Sequence, residues 1–383
     1  MGRAFALMVP TLTLDPRVRV VAGSDPRPEA RARFARDFGA RTYAEPTDVC
    51  ADAEVEVVYI ASPHGVHAEQ AIAAARAGKH VLVEKPLAVA LADAERMVEA
   101  AERAGVALIV GHSHSFDAPI LAARAMIASG DVGAVHMITA LNFTDFLYRP
   151  RRPEELVTGQ GGGALFSQAA HQVDIVRLLA GGRLARVLAH TGRWDATRPT
   201  EGAYAASFTF EDGCFASLTY SGYAHFDSDE LCGDIGEMGE PRDPARYGVA
   251  RRLVGGQGAE AEASLKMARN YGGERYSPPA HGERWHQHFG FVLASCERAD
   301  LRPLPQGVMV YDDAKPRLVP LPRPSVPRQE VIDELYAAVV AGRPARHDGR
   351  WGMATLEACH AMLESARTGR EVRLRRQCAW RDG

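Results

Sequence analysis

The chain has 383 residues, 46% of them hydrophobic, and its 45 basic and 48 acidic side chains leave a formal charge of −3. That length buries a sizeable core and has room for two domains. The near-neutral charge without a basic, aromatic-interleaved stripe argues against nucleic acid, and no apolar run approaches the roughly 20 residues that cross a bilayer. Cys50, Cys214, Cys232, Cys296, Cys359 and Cys378 are scattered without CxxC spacing, so free thiols, a cytoplasmic setting and no metal are expected.

Gly2-Arg3-Ala4-Phe5 stands at the start with no strand before it, although a dinucleotide site is built from a strand, a glycine turn and a helix N-terminus. Residues 18–22 read as a strand ending in Gly23-Ser24-Asp25, with a helix over 29–38. Asp25 is placed either to accept from an adenosine ribose or to cap that helix. Arg27, two residues on, would suit a 2′-phosphate instead.

Residues 55–60 form the next apolar strand, followed by the turn Ser62-Pro63-His64 and an alanine-rich helix over 67–77 that begins at His67. Val81-Leu82-Val83 is a third strand and runs into Glu84-Lys85-Pro86. Strand, helix, strand is the parallel crossover unit, so residues 1–115 read as an α/β Rossmann-type domain whose first strand is missing. The carboxyl edge of such a sheet is where ligands bind, which makes Lys85 either a catalytic group or a solvated charge. A cis bond at Pro86 would fix its direction.

His112 lies at another strand end, and after it the pattern changes. Strands over 135–146, 184–191, 202–210 and 214–221 follow with few helices between them, so residues 116–383 read as an α+β domain on a mostly antiparallel open sheet. Asp212-Gly213 predicts a two-residue hairpin turn, and 233–279 reads as a long loop with little regular structure. Helices are predicted over 329–341 and 353–368. Gly161-Gly162-Gly163 leads into a helix on which Ser167, His171 and Asp174, spaced by four and three, share one face with Gln168 beside them. His171 is then a site residue or a core histidine. Arg149, Arg151 and Arg152 are candidates for bidentate recognition of an anion, or else a solvated loop.

Glu84-Lys85-Pro86, Ser62-Pro63-His64-Gly65-Val66-His67, and the glycine run followed by His171 and Asp174 resemble the glucose-fructose oxidoreductase and inositol dehydrogenase (Gfo/Idh/MocA) family over nearly the whole chain. Residues 142–174 and 220–227 are most similar to its phthalate 4,5-cis-dihydrodiol dehydrogenase branch. The resemblance implies an NAD(P)-dependent oxidoreductase that moves a hydride between nicotinamide and a cyclic alcohol or diol. Lys85 and His171 would be catalytic. Gly2, Arg3, Ala4, Asp25, Arg27, Ser62, Pro63, His64, His67, Glu84, Lys85 and Pro86 would contact NAD, with NADP the alternative. His112, Arg149, Arg151, Arg152, Ser167, Gln168, His171 and Asp174 would meet a small-molecule substrate.

The resemblance also implies a homodimer or homotetramer formed through the open sheet, and helices of 325–383 packing back on the first domain. Aligned with it, Gly2 and Phe5 fall on the second and third glycines of GxGxxG, and the first glycine and its strand are absent. Either the functional chain starts about 5–10 residues upstream or this copy no longer binds cofactor. Ser167 stands where the sugar enzymes carry an aspartate. A sugar or cyclitol dehydrogenase and a non-catalytic cofactor-binding sensor or partner subunit are therefore the competing functions.

Overall fold

The computed structural model describes residues 1–246, 249–254, 258–277 and 284–382. The chain divides into two compact units, one made of Met1–His112, Gly258–His281 and Val326–Met353, the other of Ser113–Gln257, Gly282–Ser325 and Ala354–Gly383. Among the described residues no helix is long and apolar enough to cross a membrane.

The first unit opens on helix α1 (Arg3–Leu14) and carries five parallel strands in two separate sheets. One sheet pairs β1 (Ala22–Ser24) with β2 (Arg41–Tyr43). The other has β4 (His80–Val83) between β3 (Val57–Ile60) and β5 (Leu108–Val110). Helices α2 (Pro28–Phe38), α3 (Pro46–Ala51), α4 (His67–Arg76) and α5 (Leu91–Ala104) alternate with them along the chain. Val81, Leu82 and Val83 of β4 are buried, as a near-continuous apolar run in a covered parallel strand requires. Gly23 is needed in β1 because a Cβ there would meet the Phe34 ring of α2 at 2.5 Å. The strand itself is shorter and later than the predicted 18–22.

A distant segment completes this core. Tyr271, fully buried, packs its ring edge-on to Phe5 at 4.9 Å and donates its hydroxyl to Asp37 at 2.8 Å. The stretch 233–279, predicted to hold little regular structure, contains two α-helices among its described residues, Val249–Val254 and Ala259–Arg269.

 The longer of the two, Ala259–Arg269, is a run of strong helix formers with Glu260 and Glu262 in its first turn and Lys266 and Arg269 in its last, as the helix dipole favours. The glycines and prolines on either side hide that signal.

The second unit is built on a nine-stranded sheet. In chain order its strands are β6 (Val135–Phe143), β7 (Leu184–Gly192), β8 (Ala203–Phe210), β9 (Phe215–Ser221), β10 (Phe291–Cys296), β11 (Asp300–Leu304), β12 (Gly307–Tyr311), β13 (Arg317–Pro320) and β14 (Val372–Arg373). They are arranged β13-β12-β11-β10-β6-β9-β8-β7-β14, and β6 with β9 is the parallel pair in an otherwise antiparallel sheet. Phe210 N–H bonds to the Cys214 carbonyl, leaving Glu211-Asp212-Gly213 in the β8–β9 turn with Gly213 at φ +92. The hairpin loop is therefore three residues long, one more than predicted, with glycine at the left-handed position.

The helices that follow α5 are α6 (Ala118–Ala128), α7 (Ala170–Ala180), α8 (Val249–Val254), α9 (Ala259–Arg269), α10 (Gln329–Val339) and α11 (Gly349–Thr368). Helix α10 belongs to the first unit, where Asp333 receives Arg17 at 2.7 Å. From Ala354 onward α11 belongs to the second unit, where Thr355 receives the buried Arg177 of α7 at 2.6 Å.

Candidate active site

In the first unit the candidate residues gather at the carboxyl ends of β3 and β4. The turn after β3 presents Ser62, Pro63 and His64, and His67 opens α4. His67 is fully buried, with its ring nitrogens 3.0 Å from the Pro86 carbonyl oxygen and 3.1 Å from that of Ser62. Burial pushes its pKa down, so a neutral ring ties the two strand ends together. The Lys85–Pro86 peptide bond is cis, as is Gly111–His112 beyond β5.

Glu84 is buried beside Lys85 and accepts from the Tyr59 hydroxyl at 2.5 Å. Burial raises its pKa against the opposing pull of Arg328, the Tyr59 bond and Lys85. Arg328 is held at φ +56 at the start of α10. Tyr59 and Arg328 carry no motif of their own, and only the folded chain brings them to Glu84.

Asp25 lies just past β1 and is 2% exposed. Its carboxylate receives Arg27 Nε at 3.0 Å, Arg27 Nη2 at 3.1 Å and the Met1 ammonium. Burial would raise its pKa, but these partners together hold it below the ordinary value. Arg27 also donates to the carbonyls of Met1 and Tyr271, at 2.9 and 3.1 Å. Gly2 precedes α1, whose first turn contains Arg3 and Ala4, no acid and no side-chain cap. Uncapped N–H groups at a helix start suit a pyrophosphate, so the residues present fit a dinucleotide.

In the second unit a short turn, His114–Phe116, meets the start of α7. His114 N–H donates to His171 Nδ1 at 3.3 Å, and the Ser113 hydroxyl lies 3.5 Å from the same nitrogen. His114 Nδ1 stands 2.7 Å from Asp117 Oδ2, and its Nε2 stands 3.4 Å from Glu237 Oε1. Burial would lower the His114 pKa, but the two carboxylates raise it to about 9. Burial works against ionised Glu237 too, and His114, Arg149 and His288 nonetheless hold it at about 2. His114 is thus a buried imidazolium between two carboxylates. Phe289 packs 5.1 Å from the His114 ring and 4.9 Å from the His171 ring, and stacks on Tyr220, which stacks on Tyr204.

The remaining candidates are spread over this unit. Ser167 and Gln168 lie in a π-turn, Leu165–Ala169, that leads into α7. Gln168 Nε2 donates to the Ser167 carbonyl at 3.1 Å, and Gln168 Oε1 accepts from Tyr220 at 3.3 Å. Asp174 accepts from the hydroxyls of Ser115 and Thr355 and lies 3.8 Å from Arg177, so its oxygens serve contacts inside the unit. Arg149 reaches Asp145 at 3.6 Å and Glu237 at 3.7 Å. The Arg151 guanidinium lies 3.6 Å over the Phe146 ring, and Arg152 pairs with Glu154 and Glu155. Asp117, Glu237 and Phe289 were not legible as site residues. Glu237 sits in the glycine-rich stretch read as a loop.

Residues 1–112 match the profile described as Oxidoreductase family, NAD-binding Rossmann fold, and residues 120–239 match the GFO/IDH/MocA C-terminal domain. The chain is 47% identical over 372 residues to 1-carboxy-3-chloro-3,4-dihydroxycyclohexa-1,5-diene dehydrogenase of Comamonas testosteroni, covering 96% of this chain and 93% of the relative. It is 35% identical to inositol 2-dehydrogenase 2 of Saccharopolyspora erythraea, over 50% of this chain and 55% of that one. A solved dehydrogenase structure from Bordetella bronchiseptica RB50 superposes with a TM-score of 0.91 at 44% identity, covering 96% of both chains. Levoglucosan dehydrogenase in complex with NADH and levoglucosan shares the fold at a TM-score of 0.72 and 18% identity, covering 97% of both chains. The protein belongs to the Gfo/Idh/MocA family of NAD-binding oxidoreductases and is a dehydrogenase acting on CH–OH groups.

Proposed function

We propose that the protein oxidises a carboxylated cyclic cis-dihydrodiol with NAD as hydride acceptor. The observation that carries this reading is the 47% identity, over 96% of the chain, to a dehydrogenase named for a carboxylated dihydroxycyclohexadiene. Two features of the second unit support it. Tyr204, Tyr220 and Phe289 form a stack suited to a flat ring, and Arg149 and Arg151 supply cationic groups beside Phe146 for a carboxylate.

When bound, nicotinamide supplies the acceptor for the hydride leaving the ring C–H. The chain's own residues then have to bind the diol, orient it and remove the hydroxyl proton. Lys85 and His171 are the groups we assign to that proton, with Lys85 as acceptor. The ketone formed tautomerises to an aromatic catechol, which makes the oxidative direction strongly favourable. NAD is favoured over NADP because Arg27, the group that would meet a 2′-phosphate, is already bonded to Asp25 and to two backbone carbonyls.

The open sheet supports the proposed homodimer or homotetramer. Met137 and Phe215 are paired across β6 and β9 and remain 37% and 48% exposed, an apolar pair that a second copy would cover. The six free cysteines suit the cytoplasmic setting we infer. Initial rates with NAD and NADP on carboxylated cis-dihydrodiols and on inositols test the function. Turnover of the diols with NAD, at least tenfold faster than of any inositol, is the expected result. Preference for inositols would overturn it in favour of a cyclitol dehydrogenase, and cofactor binding without turnover of any alcohol would leave a sensor.

A further inference from the structure

We propose that Tyr271 is a positioning residue for cofactor choice. Its main-chain carbonyl holds the Arg27 guanidinium turned toward Asp25 and away from a 2′-phosphate, so a segment 244 residues further along the chain fixes the preference for NAD. The proposal rests on the NAD reading above and names the part of the first unit that enforces it.

The chemistry beside Asp25 sets the problem. A 2′-phosphate carries about two negative charges at neutral pH, so a carboxylate repels it and a guanidinium attracts it. Two arginines stand beside Asp25, and both point their donors at other groups. Arg31 Nη1 bonds to the carbonyls of Asp25 and Pro26, at 2.7 and 3.0 Å. Arg27 Nε bonds to Asp25 Oδ1 at 3.0 Å. Its Nη2 is shared among Asp25 Oδ2 at 3.1 Å, the Met1 carbonyl at 2.9 Å and the Tyr271 carbonyl at 3.1 Å. One NH₂ group has two protons for these three acceptors, so a phosphate oxygen reaches it only by displacing them. NAD carries a neutral hydroxyl at that position and makes no demand on the guanidinium.

The Tyr271 carbonyl is hard to displace because the segment after α9 is fastened to α2 on both sides of it. The Tyr271 side chain is 0% exposed, and its ring meets Phe5 at 4.9 Å and Phe34 at 6.4 Å, edge-on to both. Its hydroxyl donates to Asp37 at 2.8 Å, and Arg33 pairs with the same carboxylate at 2.7 Å. Tyr276 packs edge-on against Tyr271 at 5.1 Å and lies beneath the Arg33 guanidinium at 5.4 Å. Gly272, which shares the peptide unit of the Tyr271 carbonyl, has φ +77, and a Cβ there would meet Ala30 Cα at 2.6 Å. Only glycine suits both the backbone angle and the close approach. Arg27 is itself the N-cap residue of α2. Its backbone is thus fixed at the helix start, and its guanidinium is fixed to the same helix through Tyr271.

Dissociation constants for NADH and NADPH, read from nicotinamide fluorescence of the full chain without any alcohol, give the ratio that tests this. The parent should bind NADH at least about tenfold more tightly. Gly272→Ala pushes the segment off Ala30 and should tighten NADPH relative to NADH by about tenfold, the scale of one charge-assisted bond gained. Tyr271→Phe keeps the ring and drops the Asp37 bond, so it should move the ratio the same way by about two- to threefold. A purely structural role would weaken both cofactors alike and leave the ratio where it was. With Arg27→Ala already in place, Gly272→Ala should no longer move the ratio. Amide hydrogen exchange over 270–277, measured without cofactor, reports whether Gly272→Ala has freed the segment. A freed segment with an unchanged ratio, or a ratio that moves equally with and without Arg27, would overturn the proposal. Where Gly272→Ala fails to fold or leaves the segment protected, Tyr271→Phe decides, and an unmoved ratio there overturns it too. A parent that binds NADPH as tightly as NADH refutes the NAD reading and this inference with it. A parent that prefers NADH, with a ratio that substitutions at 271 and 272 do not move, refutes this inference alone.

Discussion

Around Lys85, in the first unit, side chains are held by hydrogen bonds to backbone and to one another, whereas around His171, in the second, they are held by a chain of buried charges. His67 spans the carbonyls of Ser62 and Pro86, and Tyr59 donates to Glu84. In the second unit Asp117, His114, Glu237 and Arg149 follow one another as alternating charges. The difference teaches how each environment should respond to change. Bonds to backbone fix direction and are little affected by pH, while alternating charges depend on every member staying ionised. The region expected to recognise a common cofactor is built the first way. The region expected to recognise a particular substrate is built the second way.

The sharpest way to break the comparison is to remove the proton acceptor. Lys85→Met should lower kcat by about 10²–10⁴-fold, the usual worth of a general base, while NADH binding followed by fluorescence stays within a few-fold. If His171→Phe exceeded it, the division of labour between the two residues would be reversed.

Next in size is the response to pH. Folded His114 and His288 titrate at about 9, above the usual value of 6.5. The stability they contribute is therefore complete below about pH 6.5 and is lost as pH rises through 9. The His114 contribution is on the order of 3 kcal/mol. Glu237, at about 2, loses its contribution in the opposite direction, as pH falls from 4.5 toward 2. Urea unfolding midpoints should fall between pH 6.5 and 9 in the parent and fall less in His114→Gln. A flat parent profile would show that the charge chain carries no net stability.

What was legible in the sequence divides along the same line. The elements around Lys85 are local, so the apolar run, the turn and the helix start read from the sequence correspond to β3, the His64–Val66 turn and α4. Glu237 and Tyr271 were hidden because each acts far along the chain, one beside His114 and the other beside Phe5, and periodicity says nothing about such pairings. Both also lie in a stretch whose glycines and prolines read as loop. Arg328 was hidden for the same reason, since its partner Glu84 is a property of the fold.

A smaller effect tests the packing beneath β1. Gly23→Ala would set a methyl group 2.5 Å from the Phe34 ring, which is hemmed in by Phe5 at 5.9 Å and Phe38 at 4.8 Å. Inserting a carbon into such a cluster costs about 1–3 kcal/mol, read as a lower urea midpoint. Because Asp25 follows β1 directly, NADH affinity should weaken in the same variant.

The smallest expected effect concerns the arginines. Arg152 sits in two ion pairs with Glu154 and Glu155 at 3.2 and 3.4 Å, and its side chain is 27% exposed. Pairs of that kind contribute roughly 0–1 kcal/mol, so Arg152→Ala should leave both the unfolding midpoint and the KM for a carboxylated diol nearly unchanged. Arg149 stands at the end of the charge chain, and Arg149→Ala should raise that KM about tenfold or more while also freeing Glu237 to titrate closer to its ordinary value. Comparing the two variants on a carboxylated diol and on its uncarboxylated analogue separates the roles. If Arg149→Ala raises KM equally for both diols, the residue serves the charge chain, and the substrate's carboxylate is held elsewhere.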